Sequence, residues 1–127
     1  MDNLKMMIVF YVANQEKSKE FYKKMLKREP VLDVSGMTEF FISENTKLGL
    51  MPENGIYGLL KEKIKHPSFA NGIPRCELYI KCENPEQEIL FLENNGGTII
   101  SHAEKRNWGD VVSYGIDFDG NILAFYC

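Results

Sequence analysis

The sequence repeats one pattern of strand and helix signals at an offset of 70 residues. Asn14 and Asn84 are equivalent, and each can cap the start of a helix because its side chain accepts from a free backbone N–H. Apolar positions coincide as well. The equivalent pairs are Ile8 and Leu78, Phe10 and Ile80, Val12 and Cys82, and Phe21 and Phe91. An internal duplication of this kind predicts two copies of one supersecondary unit.

Each copy predicts the order β-α-β-β-β. The first copy has a strand at 6–12, a helix from Asn14 to about 27, and strands at about 30–34, 37–43 and 46–52. The second has a strand at 75–82, a helix from Asn84 that Gly96-Gly97 ends, and strands at about 98–104, 110–117 and 121–127. The predicted fold class is α+β, with each helix packed on one face of its sheet.

The predicted domain organisation is a single domain over residues 1–127. Repeat one covers about 5–52, a connector about 53–73, and repeat two about 74–127. The connector is rich in Gly and Pro and has room for a short helical turn near 56–63.

Composition excludes several functional classes. The net charge of −3 argues against a nucleic-acid partner. No run approaches the ~20 apolar residues of a membrane helix, and the start lacks a signal peptide's apolar segment, so we expect a cytoplasmic protein without a membrane partner. The cysteines are odd in number and expected to be reduced.

Three stretches resemble the vicinal oxygen chelate superfamily, which includes glyoxalase I, extradiol dioxygenases, and fosfomycin and bleomycin resistance proteins. The first is the strand-to-helix entry from Val12 to Tyr22, and the second is its counterpart from Glu77 to Asn84. The third is the closing hairpin, with Trp108-Gly109-Asp110 and a tight turn at Asp119-Gly120-Asn121. The resemblance implies tandem βαβββ modules, whose sheets form two cups that make one cleft.

In the family's metal enzymes each cup supplies two ligands to a divalent metal, and the resemblance places these positions at Met7, Gly49, Glu77 and Ala124. Gly and Ala have no donor atom, and a thioether is a poor ligand for hard or borderline ions. We therefore expect no metal and no other cofactor. His102 and Glu104 could begin a metal site but lack two further ligands.

The resemblance, read with strand parity, also predicts which residues line the cleft. The expected ligand-binding residues are Met7, Val9, Tyr11, Met51, Glu77, Tyr79, Trp108, Ala124 and Tyr126, with Lys81 and Ile122 beside them. The opposite parity should pack on the helices: Ile8, Phe10, Val12, Leu78, Ile80, Cys82, Leu123 and Phe125. Aromatic side chains with a few polar groups are typical of small-molecule sites.

These features predict a metal-independent small-molecule-binding protein that sequesters a flat or amphipathic ligand. Two alternatives remain: a lyase, isomerase or dioxygenase of the glyoxalase type with a divalent metal, and a ligandless interaction or regulatory module. Glu77 is the one candidate catalytic group, and it is either a general base or a solvated carboxylate. Because no other group supports catalysis, we favour a binding protein over an enzyme. The resemblance also implies a homodimer. The sequence leaves open the ligand and whether the connector forms a lid.

Overall fold

A computed structural model describes residues 4–127, which form two compact units. The first unit ends at Phe69, and the second runs from Ala70 to Cys127. Among the described residues, no helix combines the length and apolar character needed to span a bilayer.

The first unit is one sheet with a helix packed on it. Its elements are β1 (Met6–Val12), α1 (Gln15–Leu26), β2 (Leu32–Val34), β3 (Met37–Ser43), β4 (Thr46–Pro52) and α2 (Glu53–Leu60). The sheet order is β1-β4-β3-β2, with β1 parallel to β4 and the other pairs antiparallel. Two short 3-10 turns follow α2, at Lys61–Lys63 and Pro67–Ala70.

Helix α1 begins and ends where the sequence predicts. Asn14 Oδ1 accepts from Lys17 N at 3.0 Å, and the helix ends at Lys27, which adopts a left-handed φ of 55°. Phe21, Tyr22 and Met25 form its buried stripe, and Tyr22 meets other rings edge to face. Burial of such a stripe against the sheet stabilises the helix more than its intrinsic propensity does.

The second unit repeats this topology. Its elements are β5 (Glu77–Lys81), α3 (Pro85–Asn94), β6 (Thr98–Lys105), β7 (Val111–Ile116) and β8 (Ile122–Tyr126). The sheet order is β5-β8-β7-β6, with β5 parallel to β8. The two units therefore share one strand order, and the duplication expected from the sequence is confirmed in the fold.

Helix α3 covers one face of the second sheet. Its Ile89 and Leu92 are fully buried, and a Cβ at Gly115 on β7 would lie 2.9 Å from a methyl carbon of each. The glycine thus permits a close approach of helix and strand. Ser113 Oγ also donates to the carbonyl of Pro85 at 2.9 Å. Residues of the opposite parity on β5, β7 and β8 therefore lie on the face without the helix.

The closing turn is confirmed. Asp117 Oδ1 accepts from the backbone N–H groups of Asp119 and Asn121, both at 2.9 Å, and Gly120 has the positive φ of 95° that the turn requires.

Two expectations need correction. Helix α2 spans Glu53–Leu60 and starts three residues earlier than the short turn expected near 56–63, because it begins after Pro52 without a side-chain cap that would mark its start in the sequence. Ile8 was expected to pack on a helix, but it is 38% exposed. It lies near the start of β1, an edge strand, whereas Phe10 and Val12 further along are buried.

Candidate functional site

The face of the second sheet opposite α3 carries a cluster of aromatic side chains. Strand register aligns Tyr79 on β5 with Ala124 on β8, and Ala124 with Tyr114 on β7. We call this surface the aromatic face. Its members are Tyr79, Trp108, Tyr114, Ala124 and Tyr126.

Tyr79 and Tyr126 form the centre of the aromatic face. Their rings stack with centroids 4.4 Å apart and an interplanar angle of 18°. Ala124, beside Tyr79 in the register, is fully buried, whereas Tyr79 remains 38% exposed. The two rings therefore form a fixed stack with one part open to solvent, which suits contact with another flat group.

A tight turn between β6 and β7 positions Trp108. Arg106 N donates to Asp110 O at 2.8 Å, and Gly109 N donates to Arg106 O at 3.0 Å. Gly109 adopts a φ of 103°, which only glycine adopts without strain. Trp108 is 60% exposed, and its Nε1 donates to Tyr79 Oη at 2.8 Å. Because β8 lies between β5 and β7, the indole must extend across β8 to make this hydrogen bond.

Asp110 completes a chain of hydrogen bonds. Tyr79 Oη accepts from Trp108 and donates to Asp110 Oδ2 at 2.8 Å. Partial removal from water raises the pKa of Tyr79, and donation to the Asp110 carboxylate adds to the effect, while the Trp108 donor works against it. Tyr79 therefore keeps its proton at neutral pH.

Arg106 anchors the base of the same turn. Its guanidinium carbon lies 5.1 Å from the centroid of the Tyr114 ring, and its Nη2 donates to Ser101 Oγ and Val112 O at 2.7 and 3.0 Å. Nη1 donates to Glu104 at 3.1 Å. A planar guanidinium suits this combination of ring stacking and several donated bonds.

Sequence reasoning missed three members of this arrangement. Tyr114 shares strand parity with Ala124 across β7 and β8, so the same register argument could have found it. Asp110 and Arg106 lie in a turn, where strand parity does not apply. Only the turn geometry shows that their side chains reach the sheet.

The residues expected to line the first half of the site lie on the first sheet. A Cβ at Gly49 would lie 3.0 Å from Met7 Sδ, 3.3 Å from Met37 Sδ and 3.4 Å from Val9 Cγ2. Met7, Val9 and Gly49 are thus together on the face opposite α1. Tyr11 and Met51 have the same parity on paired strands, and Tyr11 is exposed. Their role in ligand binding stays a prediction.

The family's metal positions do not fit a divalent ion. Two methionine sulfurs pack over Gly49, Ala124 is buried and has no donor atom, and Glu77 is exposed. Within residues 4–127, no three His, Cys, Asp or Glu side chains are grouped to hold a metal. These donors do not provide the three protein ligands of an ordinary catalytic site.

His102 and Glu104 do not form a metal pair either. His102 Nδ1 lies 2.7 Å from Glu86 Oε2 on α3, and Glu104 pairs with Arg106. Each side chain therefore has its own partner in the fold.

Several solved structures share this fold. A glyoxalase-related enzyme from Fulvimarina pelagi is 16% identical, with a TM-score of 0.80 over 95% of this chain and 85% of that one. A glyoxalase/bleomycin resistance protein/dioxygenase family enzyme from Burkholderia phytofirmans is 10% identical, with a TM-score of 0.79 over 94% of each chain. A superfamily member from Sphaerobacter thermophilus is 18% identical, with a TM-score of 0.69 over 96% and 94%.

This protein therefore has the glyoxalase/bleomycin resistance-type fold, which confirms the fold class and the resemblance seen in the sequence. No protein-family model and no curated protein sequence matches the chain. At these identities the likeness establishes the fold alone, and the function depends on the chemistry of the site.

Proposed function

We propose that this protein binds a flat or amphipathic small molecule on the aromatic face, without a metal ion. The observation that carries the proposal is the positioning of Trp108. A tryptophan that is 60% exposed is held by a hydrogen bond to Tyr79 beside a stacked tyrosine pair. Exposed aromatic rings held in fixed positions offer a stacking surface. Such rings lose little conformational entropy when a ligand binds, because they are already ordered.

The metal-independent part of the proposal follows from the donor set. Of the family positions Met7, Gly49, Glu77 and Ala124, only Glu77 carries an oxygen ligand. The aromatic face supplies the alternative, because stacking and hydrogen bonding do not need chelation. The exposed position of Glu77 gives no support to a general-base role.

One observation favours the ligandless alternative. Tyr79 and Tyr126 stack on each other, as expected for a face filled by its own side chains. Trp108 extends beyond that stack with most of its surface exposed, which favours a ligand instead. The two readings differ in whether an added aromatic molecule contacts the indole.

The test uses the intrinsic fluorescence of Trp108, the one tryptophan in the sequence. Metal-free protein is titrated with a panel of flat aromatic compounds and antibiotics. We expect saturable quenching or a spectral shift for at least one compound, and an increase in Tm that grows with its concentration. An absence of both effects across the panel contradicts the proposal and supports the ligandless alternative.

Two variants locate the binding. Trp108→Ala should weaken the affinity about tenfold or more, because a stacking partner contributes roughly 1–3 kcal/mol. The control is Phe91→Ala, which removes an exposed aromatic ring from α3, on the other side of the second sheet. Equal effects of the two variants on calorimetric affinity would place the ligand elsewhere.

A further inference from the structure

We propose that the ligand of the aromatic face is a flat cation carrying N–H donors, such as an amidinium or a protonated aromatic amine. This inference rests on the proposed function and adds the ligand class. It follows from counting which hydrogen-bonding groups of the face are already used and which remain.

Among the donors with a fixed direction, Arg106 Nε is buried without a partner within residues 4–127, and the others are already used. The Trp108 N–H is donated to Tyr79, and the Tyr79 O–H is donated to Asp110. Tyr79 Oη accepts one bond and donates another, so its hydrogen-bonding capacity is used as well. Among residues 4–127, Asp110 Oδ1 has no hydrogen-bond partner. The fixed group that remains is therefore an acceptor, Asp110 Oδ1, whereas the hydroxyls of Tyr114 and Tyr126 can rotate to donate or accept.

The charges lead to the same ligand class. The two η nitrogens of Arg106 are engaged by Glu104, Ser101 and the Val112 carbonyl, and its guanidinium lies over Tyr114. The exposed charges on β5 are one of each sign, Glu77 and Lys81. Asp110 makes no ion pair within the described residues, so its carboxylate gives the Trp108–Tyr79 end a negative charge.

The rings favour a cation too. Electron density over the faces of tryptophan and tyrosine attracts positive charge, and tryptophan is the strongest of these partners. Because the indole nitrogen is bound to Tyr79, the exposed part of Trp108 is mainly ring surface. A flat cation can then lie on the indole while one of its N–H groups reaches Asp110 Oδ1.

The test compares three ligands of equal shape. 2-Naphthamidine is cationic with N–H donors, 2-naphthamide is neutral, and 2-naphthoate is anionic, so all three share one ring. Affinities are measured by calorimetry at pH 7 and constant ionic strength. We expect the amidinium to bind about tenfold more tightly than the amide, and the carboxylate to bind most weakly.

A pair of variants assigns the preference. Asp110→Asn keeps an acceptor for Tyr79 and removes the charge, so the preference for amidinium over amide should fall to within about twofold. Glu93→Gln removes the same charge from α3 and should leave the preference unchanged.

The outcomes separate the two proposals. If the amide or the carboxylate binds as tightly as the amidinium to the wild-type protein, the cation inference is wrong and the binding function stands. If none of the three binds at millimolar concentration, the cation inference is also wrong, and the wider panel of flat compounds then decides the proposed function. The wild-type series decides the matter even if the Asp110→Asn variant does not fold.

Discussion

Tyr79 connects strand β5 to the β6–β7 turn through one oxygen atom. Its hydroxyl accepts from Trp108 in the β6–β7 turn and donates to Asp110 at the end of that turn. Sequence parity predicts that Tyr79 lies on this face, but not that its oxygen holds the tryptophan. Such a bond depends on the path of a turn, which alternation along a strand does not specify.

Removal of that oxygen should release the indole. In Tyr79→Phe, Trp108 loses its acceptor, and we expect its emission to shift and its single indole N–H resonance to broaden or move towards the solvent-exposed value. Tyr57→Phe is the matched control, because it removes a tyrosine hydroxyl from the first unit. An unchanged indole signal in Tyr79→Phe would contradict the geometry of the site.

Alkaline pH should break the other hydrogen bond of Tyr79 in the wild-type protein, its donation to Asp110, while the phenolate still accepts from Trp108. The pKa of Tyr79 is raised above its ordinary value of 10.0, so its donation to Asp110 persists at pH values where a free tyrosine ionises. The bond is lost as the pH rises through the higher folded-state pKa. A pH titration of the indole resonance should therefore show a transition above 10 that is absent in Tyr79→Phe; a transition below 10 would be contrary to this account.

At the scale of elements, the sequence predicts most of the fold and less of the site. The caps Asn14 and Asn84 and the turn at Gly120 are confirmed, because capping and turn formation depend on neighbouring residues. The predicted start of α2 was wrong, because the helix begins after Pro52 without a side-chain cap that would mark its start in the sequence. The contribution of Arg106 to the turn depends on partners that lie on β6 and β7.

The β6–β7 turn should be sensitive at Gly109. A side chain there is strained by the φ of 103°, so Gly109→Ala should lower the free energy of unfolding by about 1–2 kcal/mol and weaken ligand binding. Gly58→Ala is the control, since Gly58 lies in α2 with open space around it and should gain stability. Both values come from urea unfolding. Equal stability of the two variants would show that the turn does not need glycine.

Glu86 links α3 to the edge strand β6. Its Oε1 accepts from Ala103 N at 2.9 Å, and its Oε2 lies 2.7 Å from His102 Nδ1. The backbone donor, helped by His102, holds the pKa of Glu86 below its ordinary value of 4.5. A carboxylate with a lowered pKa contributes stability that is fully present above 4.5 and is lost as the pH falls through the folded-state pKa.

Glu86→Gln should therefore be less stable than the wild type at pH 7, with the difference shrinking below pH 4.5. Thermal unfolding across this pH range measures the difference in stability between the variant and the wild type. Glu93→Gln is the control on the same helix. A difference that grows on acidification would contradict the assigned contact.

At the scale of the whole molecule, the duplication was the strongest predictor. Two copies of one β-α-β-β-β pattern led to the fold class, and the two units share one strand order. The division of the chain into one cleft-forming domain stays a prediction, as does the homodimer that the resemblance implies.

Light scattering tests the homodimer and should give twice the chain mass of 14.6 kDa. A monomer at all concentrations would contradict this prediction.

The most direct test of the central claim follows the indole N–H resonance of Trp108 during a ligand titration, after the protein has been treated with a chelator. The proposal predicts a saturable change in this one resonance on adding a flat aromatic ligand, with no metal present, and the same change in the Phe91→Ala control. A resonance that does not respond to any ligand, or that responds only after a divalent metal is restored, would contradict metal-independent binding on the aromatic face.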